Sequence, residues 1–467
     1  MPELILAVDV GTTSTRAALV DSDGRLVGLV AAPLVSTSPK PGRVEQDAEA
    51  VWRATLGAMQ ASLAAASLGP ADIAAIGVST QRASAVVWDR ASGAALSPLV
   101  VWSDLRGVAR ARELGTHGYM LAPQQAAAKL EAIFAGVQAP AARLAWGNID
   151  SYLIFRLTGG AHLTDRSQAW PSGYLALPDL GWNEALIDHQ GLERGAFPAL
   201  VDTWGELAMT APSVFGAAAP IAADIADQQS ALIAHGAAPG TAKVTFGTSA
   251  TFDLMTGRSL VFPSPGLPPL VVSSVAGKTD FCVEGMVLSA GSALDWLRGA
   301  LCLGDQAAFG ALAGSVGDSA GAAFLPALQG LGAPAGDPNR RAALTGLSTA
   351  VSRAHLARAG LEGLVFRVRE IVEAVYAAVD FDYPEVLGVD GGLTRSEVFV
   401  QILADLVNRP VRRTSTPEAT LLGAAKAAAR GIGRPEPVVA FAPPVTPRLG
   451  PEEAAARFAA WRGQVYG

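Results

Sequence analysis

The first residues with chemical potential form a turn near the start of the chain. It follows the apolar run Leu4 to Val10, and together with the end of that run and the start of the next it groups Asp9, Gly11, Thr12, Thr13, Ser14 and Arg16. Glycine lets the backbone approach a phosphate closely, and consecutive N–H groups and hydroxyls can surround the phosphate oxygens. An aspartate there can hold Mg²⁺, and an arginine can neutralise developing charge. The pattern indicates a phosphate site, with a plain β-hairpin as the alternative.

Two later turns have related properties. Gly247–Ser249 repeats the Gly-Thr pattern and could grip the distal phosphates of the same ligand. Asp390–Ser396 places two glycines directly after a buried strand, so that a flat ligand could lie on their backbone. The alternative for this second turn is a plain strand-to-helix connection in which Thr394 or Ser396 caps the helix.

A carboxylate opens the segment Asp227-Gln228-Gln229, where a helix pattern begins that ends at Gly236. This aspartate could accept the proton of a substrate hydroxyl and so act as a general base. Aspartate is also a favoured helix N-cap. The residues alone leave both interpretations open.

Composition narrows the class of protein. The chain has 467 residues, 50% of them hydrophobic and 16% charged, with a net charge of −7. This length predicts two or three domains with at least two cores, and the apolar content excludes a wholly disordered chain. The negative charge argues against a nucleic-acid partner. Pro, Gly and Ser interrupt the uncharged stretches and no basic leader is present, so we expect neither membrane spans nor a secretory signal.

Disulfide and metal-cluster chemistry are not indicated. The 5 histidines lack ligand spacing, and the 2 cysteines, Cys282 and Cys302, favour a reducing, cytoplasmic compartment. Gly277-Lys278-Thr279 resembles the end of a nucleotide-binding P-loop, but Val272 stands where that motif needs its first glycine. We expect a hairpin tip there.

The elements that must position these residues recur in a similar order. In the first half we predict a hairpin over 4–21, a helix over 46–67, a strand over 73–79 and a helix over 141–157. In the second half we predict a hairpin over 243–257, a helix over 353–379, a strand over 386–389 and a final helix over 451–465. The repeated order indicates an ancient duplication, with chance similarity of Gly-Thr turns as the alternative. A Gly- and Pro-containing break at 236–241 predicts domains 1–238 and 239–467.

The motifs resemble the FGGY family of carbohydrate kinases, which belongs to the superfamily of actin, hexokinase and the heat-shock ATPases. The resemblance extends from Asp9 to about Gly431, with VDVGTTSTRAALVD, VVWSDLR, IADQQSALIAHG, VTFGTSATFDLMTG and GVDGGLTRSEVFVQILAD as its clearest segments. It implies an α/β fold of two actin-like (ribonuclease H-like) domains with an active-site cleft between them. Within the family the chain is most similar to the glycerol kinases.

The resemblance also implies residue roles. Asp9 would hold Mg²⁺, and Asp227 would be the catalytic base. The nucleotide would be bound by Gly11, Thr12, Thr13, Ser14, Arg16, Gly247, Thr248, Gly291, Asp295, Gly391, Gly392 and Ser396. The substrate would be bound by Gln81, Arg82, Trp102, Gln124 and Gln228.

The chain departs from the glycerol kinase pattern at several of these positions. Ala83 replaces a glutamate, Gln124 a tyrosine, Thr251 a phenylalanine and Asp295 a glutamine. Without the glutamate and the tyrosine, two partners of polyol hydroxyls are missing. The resemblance therefore leaves the acceptor open.

We expect an enzyme that transfers the γ-phosphoryl group of ATP, with Mg²⁺, to a hydroxyl of a small polyol or sugar. We expect a cytoplasmic homodimer without nucleic-acid or membrane partners. The alternatives are a pentulose kinase for xylulose or ribulose, and a non-catalytic nucleotide-dependent switch of the same superfamily.

Overall fold

The computed structural model describes residues 4–264 and 266–467. Its strands are β1 (Ile5–Val10), β2 (Ser14–Val20), β3 (Leu26–Pro33), β4 (Ser36–Thr37), β5 (Glu45–Gln46), β6 (Ala75–Thr80), β7 (Val86–Asp89), β8 (Leu99–Val100), β9 (Leu144–Gly147), β10 (Leu163–Asp165), β11 (Ala199–Val201), β12 (Trp204–Met209), β13 (Pro220–Ala226), β14 (Ala242–Phe246), β15 (Ala250–Gly257), β16 (Pro269–Val275), β17 (Lys278–Val287), β18 (Ala323–Leu325), β19 (Ala343–Thr345), β20 (Leu387–Asp390) and β21 (Val411–Arg413). Its α-helices are α1 (Ala48–Ala65), α2 (Val108–Thr116), α3 (Leu130–Phe134), α4 (Ile149–Thr158), α5 (Arg166–Ala169), α6 (Glu184–His189), α7 (Pro212–Phe215), α8 (Asp227–His235), α9 (Gly291–Ala300), α10 (Gln306–Gly314), α11 (Arg353–Tyr376), α12 (Glu397–Val407), α13 (Ala419–Gly431) and α14 (Pro451–Tyr466).

The first of two compact units comprises the residues up to Ala234 together with Leu270–Asp280 and Thr420–Val438. Its main sheet has the strand order β12-β13-β6-β1-β2-β3. β1 is buried along its whole length, and it lies antiparallel to β2 and parallel to β6, which is in turn parallel to β13. Because β1, β6 and β13 run in one direction and end in register, the residues that follow them emerge at one edge of the sheet.

The second unit comprises His235–Pro269, Phe281–Ala419 and the residues from Val439 onward. In its sheet β14 lies antiparallel to β15 and parallel to β20, β20 is parallel to β21, and β15 is antiparallel to β17. The order β17-β15-β14-β20-β21 therefore repeats the order and strand directions of β3-β2-β1-β6-β13. This repetition supports the duplication inferred from the sequence.

Local sequence explains how the helices near the sheets begin and end. The Asp47 side chain accepts hydrogen bonds from Glu49 N and Ala50 N, so α1 begins directly after it. α4 ends at Gly159, which has a φ of +75° and so closes the helix in the left-handed conformation that glycine favours. The second unit packs around the buried helix α11.

Most predicted elements are confirmed, including both Gly-Thr hairpins, the long helix that is α11, the final helix α14 and the hairpin tip before Lys278. The predicted helix over 141–157 is wrong in its first part. Leu144–Gly147 forms β9, which pairs antiparallel with β7 and is buried throughout, so that sheet pairing overrides the local helix pattern. The domain boundary at 238/239 stays a prediction.

Within the part of the chain that the structure describes, none of the helices combines the length and the hydropathy that crossing a membrane requires.

Candidate active site

The turn after β1 is closed by its own backbone. Gly11 N donates to Ser14 O at 3.0 Å, and Thr13 is exposed at the tip. Asp9 and Arg16 face each other across the β1–β2 pair, with 3.4 Å between Arg16 Nη1 and Asp9 Oδ2. Asp9 is 6% exposed, so its carboxylate lies almost entirely below the surface of the turn. The turn thus presents backbone and hydroxyl groups with a carboxylate and a guanidinium beneath them.

Thr12 connects this turn to two of the predicted substrate residues. Trp102 Nε1 donates to Thr12 Oγ1 at 3.0 Å, and Thr12 Oγ1 donates to Gln81 Oε1 at 3.1 Å. The buried Gln46 fixes the backbone as well, because its Nε2 donates to Thr12 O at 2.6 Å. The hydroxyl of Thr12 therefore holds Gln81 and Trp102 in a rigid corner.

Arg82 and Asp227 meet at the same sheet edge. Thr80 and Ala226 are paired at the ends of β6 and β13, and the two charged residues follow within two positions. Arg82 Nε lies 3.3 Å from Asp227 Oδ1, which also accepts Gln228 N at 2.8 Å. Arg82 is largely buried, whereas a quarter of the Asp227 side chain is exposed. A carboxylate that is accessible and held by a guanidinium can receive a proton from a bound hydroxyl.

Two of the predicted substrate residues are less constrained. Gln124 lies half-buried in the turn that precedes α3, and Gln228 is half-buried in the first turn of α8. Their role in substrate binding stays a prediction.

A buried lysine supports the substrate-side loops and was missed by the sequence analysis. Lys129 has no exposed surface, and its Nζ donates to Ala83 O at 3.3 Å and to Val101 O at 3.1 Å. Ala83 has a φ of +54°, so the loop after Arg82 takes a conformation that non-glycine residues rarely adopt. Burial lowers the pKa of Lys129 to about 7, although the nearby Asp104 carboxylate opposes this shift. The one available signal was a lone lysine in an alanine-rich apolar run.

In the second unit, the Gly-Thr turn is joined to the start of α9. Gly291 N donates to Gly247 O at 3.1 Å, and Ser292 N donates to Thr248 O at 3.2 Å. A Cβ on Gly291 would lie 2.5 Å from Gly247 O, so only glycine permits this approach. Gly247 and Thr248 are exposed, so the Thr248 hydroxyl is accessible to a ligand, whereas Gly247 N donates to Ser249 O at 2.9 Å within the turn.

The Gly-Gly turn lies beside the same strand. Gly391 has a φ of +91°. A Cβ there would lie 2.4 Å from the carbonyl oxygen of Phe246, the residue directly before Gly247. Gly392 has open space where a side chain would project. The structure therefore brings Gly247, Thr248, Gly291, Gly391 and Gly392 to one edge of the second sheet.

Ser396 and Asp295 flank this group. Ser396 caps α12, because Phe399 N donates to Ser396 Oγ at 3.3 Å, which is the structural alternative considered for the sequence. Asp295 is exposed one turn into α9 and pairs with Arg298 at 3.2 Å. Neither contact excludes a further contact with a nucleoside.

A buried polar network lies behind the Gly-Gly turn and was also missed. His235 Nε2 lies 2.8 Å from Asp390 Oδ2, and Lys243 Nζ lies 2.8 Å from Asp253 Oδ2. Burial acts to raise the pKa of Asp390, but the hydrogen bond from His235 and the charge of Lys243 outweigh it and lower that pKa. The carboxylate before the two glycines is thereby fixed in its ionised form.

The fold defines a class of protein, those with a two-domain, actin-like α/β fold. Glycerol kinase from Plasmodium falciparum, solved with ADP, superposes with a TM-score of 0.86 and 24% identity, covering 99% of this chain and 97% of that one. Xylulose kinase from Lactobacillus acidophilus superposes with a TM-score of 0.83 and 23% identity, covering 98% and 96%. These likenesses establish the fold.

The sequence comparisons establish the family. The model of the N-terminal domain of the FGGY family of carbohydrate kinases matches residues 4–234, and that of the C-terminal domain matches 242–432. Glycerol kinase from Xanthobacter autotrophicus is 36% identical over 494 aligned residues, covering 100% of this chain and 99% of that one. Glycerol kinase from Thermus brockianus is 36% identical and covers 92% and 90%. The chain belongs to the FGGY family of carbohydrate kinases.

Membership settles the type of reaction. The protein is an ATP-dependent carbohydrate kinase similar to the glycerol kinases, a phosphotransferase with an alcohol group as acceptor, and it uses ATP and Mg²⁺.

Proposed function

We propose that this enzyme phosphorylates a hydroxyl of a small polyol and that Asp227 is its general base. The observation that carries the proposal is the Arg82–Asp227 pair at the shared end of β6 and β13, beside the corner formed by Gln81, Thr12 and Trp102. This arrangement places a guanidinium, an indole and an amide around an accessible carboxylate. Such groups suit a ligand with several hydroxyls.

The residues present fit a nucleotide and its metal ion. At the second sheet, Gly291 and Gly391 occupy positions where a Cβ would collide with backbone, and Gly392 leaves open space, so a phosphate or a nucleoside can approach the backbone closely. At the first sheet, Asp9 offers one nearly buried carboxylate, and none of the His, Cys, Asp and Glu side chains in the described ranges form a group of three or more that could bind a metal. A single carboxylate suits Mg²⁺, which keeps most of its waters. When bound, Mg²⁺-ATP supplies the phosphoryl group and neutralises its charge.

The protein's own side chains orient the acceptor and accept its proton. Trp102, Gln81 and Arg82 orient the acceptor, and Asp227 accepts the proton of the attacking hydroxyl at a carboxylate oxygen. Arg16 and the turn from Gly11 to Ser14 offer positive charge and donors to the transferred group. Because little covalent chemistry falls to the protein in phosphoryl transfer, positioning and charge account for most of the catalysis.

The similar enzymes favour a glycerol-like acceptor, since the relatives at 36% identity are glycerol kinases. Ala83 has no polar side chain, and its carbonyl accepts from Lys129. The site therefore recognises its acceptor with Arg82, Trp102 and amides, without a glutamate at position 83. Coupled detection of ADP with glycerol, erythritol, xylulose, ribulose and gluconate tests this, and a strict preference for a pentulose would overturn the polyol assignment.

Asp227→Asn tests the base directly. A general base contributes ~10²–10⁴-fold to turnover, so we expect kcat to fall by that factor. Binding of ATP should persist, because the amide keeps the size of the side chain and the acceptor for Gln228 N. Asp188→Asn, an exposed aspartate on α6, is the matched control. An Asp227→Asn enzyme with wild-type kcat would show that another group accepts the proton.

We also propose that the enzyme is a cytoplasmic homodimer. The low number of cysteines, 2 in 467 residues, supports a reducing compartment. Sedimentation velocity and cell fractionation are the tests, and a monomer at all concentrations would contradict the dimer.

A further inference from the structure

A group of three buried carboxyls lies in the first unit, and one of its members is on β13, the strand that directly precedes Asp227. Asp150 is on α4, Asp165 ends β10 and Asp224 is on β13, and none of the three has exposed surface. Asp165 is well provided with donors, which are Ser167 N, Ser167 Oγ, Gln168 N and Thr203 Oγ1. Its carboxylate therefore serves as the N-cap of α5.

In both Asp150 and Asp224, one carboxylate oxygen has a hydrogen-bond donor and the other has none. Asp150 Oδ2 accepts Thr164 Oγ1 at 2.7 Å, and Asp224 Oδ2 accepts Asp165 N at 3.0 Å. Asp150 Oδ1 and Asp224 Oδ1 are both buried without a donor. A buried carboxylate oxygen without a donor is costly, and here two occur in side chains that are held by adjacent residues, Thr164 and Asp165.

One proton resolves both deficits. Two ionised carboxylates cannot hydrogen-bond, because neither has a donor. A proton on one of them makes that group the donor and gives the other its partner. Burial, with the nearby Asp165 carboxyl, raises the pKa of Asp150 to about 7, and burial raises the pKa of Asp224 well above its ordinary range, with repulsion from Asp150 and Asp165 adding to it.

The elements packed around the two carboxyls do not supply a cation that could replace this proton. β6 contains no titratable residue, and α5 contributes Arg166, whose guanidinium donates to the carbonyls of Leu180 and Val201. On β12 the titratable residue is Glu206, which is exposed. Asp165, at the end of β10, is the charged group that faces the pair.

The cluster is joined to the end of β13 by hydrogen bonds. Ser167 Oγ donates to Asp165 Oδ1 at 2.8 Å and accepts Ala226 N at 2.9 Å. Ala226 directly precedes Asp227, and Asp224 lies three residues before it. The position of Asp227 therefore depends on how Asp165 and Asp224 are held.

We propose that Asp150 and Asp224 share one proton and that this acid pair is a positioning device for Asp227, so that turnover is lost when the proton leaves at alkaline pH. The link to turnover rests on the proposed role of Asp227, whereas the shared proton does not. Asp150 and Asp224 are positioning residues, since neither is assigned a contact with substrate.

Asp224→Asn tests the pair, because an amide can donate to Asp150 without a titrating proton. In the wild-type enzyme we expect kcat to fall about tenfold or more at alkaline pH as the proton leaves the pair, and Asp224→Asn to flatten that decline. Asp188→Asn should keep the wild-type profile. Identical alkaline profiles in the wild-type and Asp224→Asn enzymes would overturn the proposal.

Infrared spectroscopy tests the proton without using activity. The spectrum of the wild-type enzyme near neutral pH should contain the carbonyl band of a protonated carboxyl that disappears at alkaline pH and is missing in Asp224→Asn. If Asp224→Asn does not fold, Asp150→Asn replaces it in both measurements. The absence of the band from the wild-type enzyme would refute the pair, whereas an active Asp227→Asn enzyme would refute only the base.

Discussion

At the scale of single residues, Lys129 joins the loop that carries Arg82 to the loop that carries Trp102. Its buried Nζ donates to Ala83 O and Val101 O. Lys129→Met leaves both carbonyls without this donor, so we expect the free energy of unfolding to fall by about 1–3 kcal/mol. The KM for the acceptor should rise about tenfold, which corresponds to ~1.4 kcal/mol, because Arg82 and Trp102 lose their fixed positions. Urea unfolding and steady-state kinetics measure the two effects.

The matched control is Lys278→Met, which changes an exposed lysine at the start of β17. It should leave both quantities unchanged. A Lys129→Met enzyme that keeps the wild-type KM for the acceptor would show that the two loops hold their shape without the lysine.

The pH dependence of this effect has a definite sign. Burial lowers the pKa of Lys129 from its ordinary value of 10.5 to about 7. Between these values the unfolded chain binds more protons than the folded one, so the contribution of Lys129 to stability rises with pH. We expect the difference in unfolding free energy between wild type and Lys129→Met to widen from about pH 7 to about pH 9, as measured by urea unfolding. A difference that narrows would contradict the lowered pKa of Lys129.

Single residues differed in how far the sequence could predict them. The turns at Gly11 and Gly247 could be predicted, because glycine and hydroxyl residues carry a local signal. Lys129, Asp224 and His235 could not, because their partners lie elsewhere in the chain; His235 and Asp390, for example, are separated by 155 positions. A buried charge is defined by its surroundings, which only the folded chain supplies.

At the scale of elements, substitutions of Ser396 distinguish its role as a helix cap from a contact with the nucleotide. Ser396→Ala removes the cap of α12 and should cost about 1 kcal/mol, whereas Ser396→Thr keeps the cap. If Ser396 also contacts the nucleoside, as the family resemblance implies, Ser396→Ala raises the KM for ATP several-fold. Asp305→Ala is the control, since Asp305 caps α10 through Ala308 N at 2.8 Å. A KM for ATP that is unchanged in Ser396→Ala would leave Ser396 as a cap alone.

Elements were predicted best where a continuous apolar pattern or a local turn signal defines them. The β1–β2 hairpin and α11 followed from apolar patterning, but the segment 144–147 did not. Leu144 and Trp146 fit a helix as well as a strand, and their pairing with β7 decides between the two. The choice depends on residues that lie about 60 positions earlier in the sequence.

At the scale of the whole molecule, the repeated motifs correctly indicated two sheets of one topology. The segment Thr420–Val438 packs in the first unit although the chain before it belongs to the second. This could not be predicted, because it depends on close packing between distant segments. A Cβ on Gly77 would lie 2.4 Å from Ala424 O, so α13 can approach β6 only at a glycine. Nothing in either local sequence indicates that contact.

The division of the site residues between the units leads to a prediction about ligand binding. The proposed acceptor residues, including Gln81 to Ala83 and Trp102, belong to the first unit, whereas Gly247, Gly291 and the turn 391–396 belong to the second. A ligand at about one hundred times its Kd stabilises the region that binds it by ~2.7 kcal/mol, which slows exchange through opening about a hundredfold. Acceptor alone should therefore slow hydrogen exchange at 81–83 and leave 391–396 unchanged, while ATP with Mg²⁺ should slow it at 391–396. Asp227→Asn should show the same two patterns, because it leaves the binding backbone intact. Protection of 391–396 by the acceptor alone would show that the residues assigned to nucleotide bind the polyol instead.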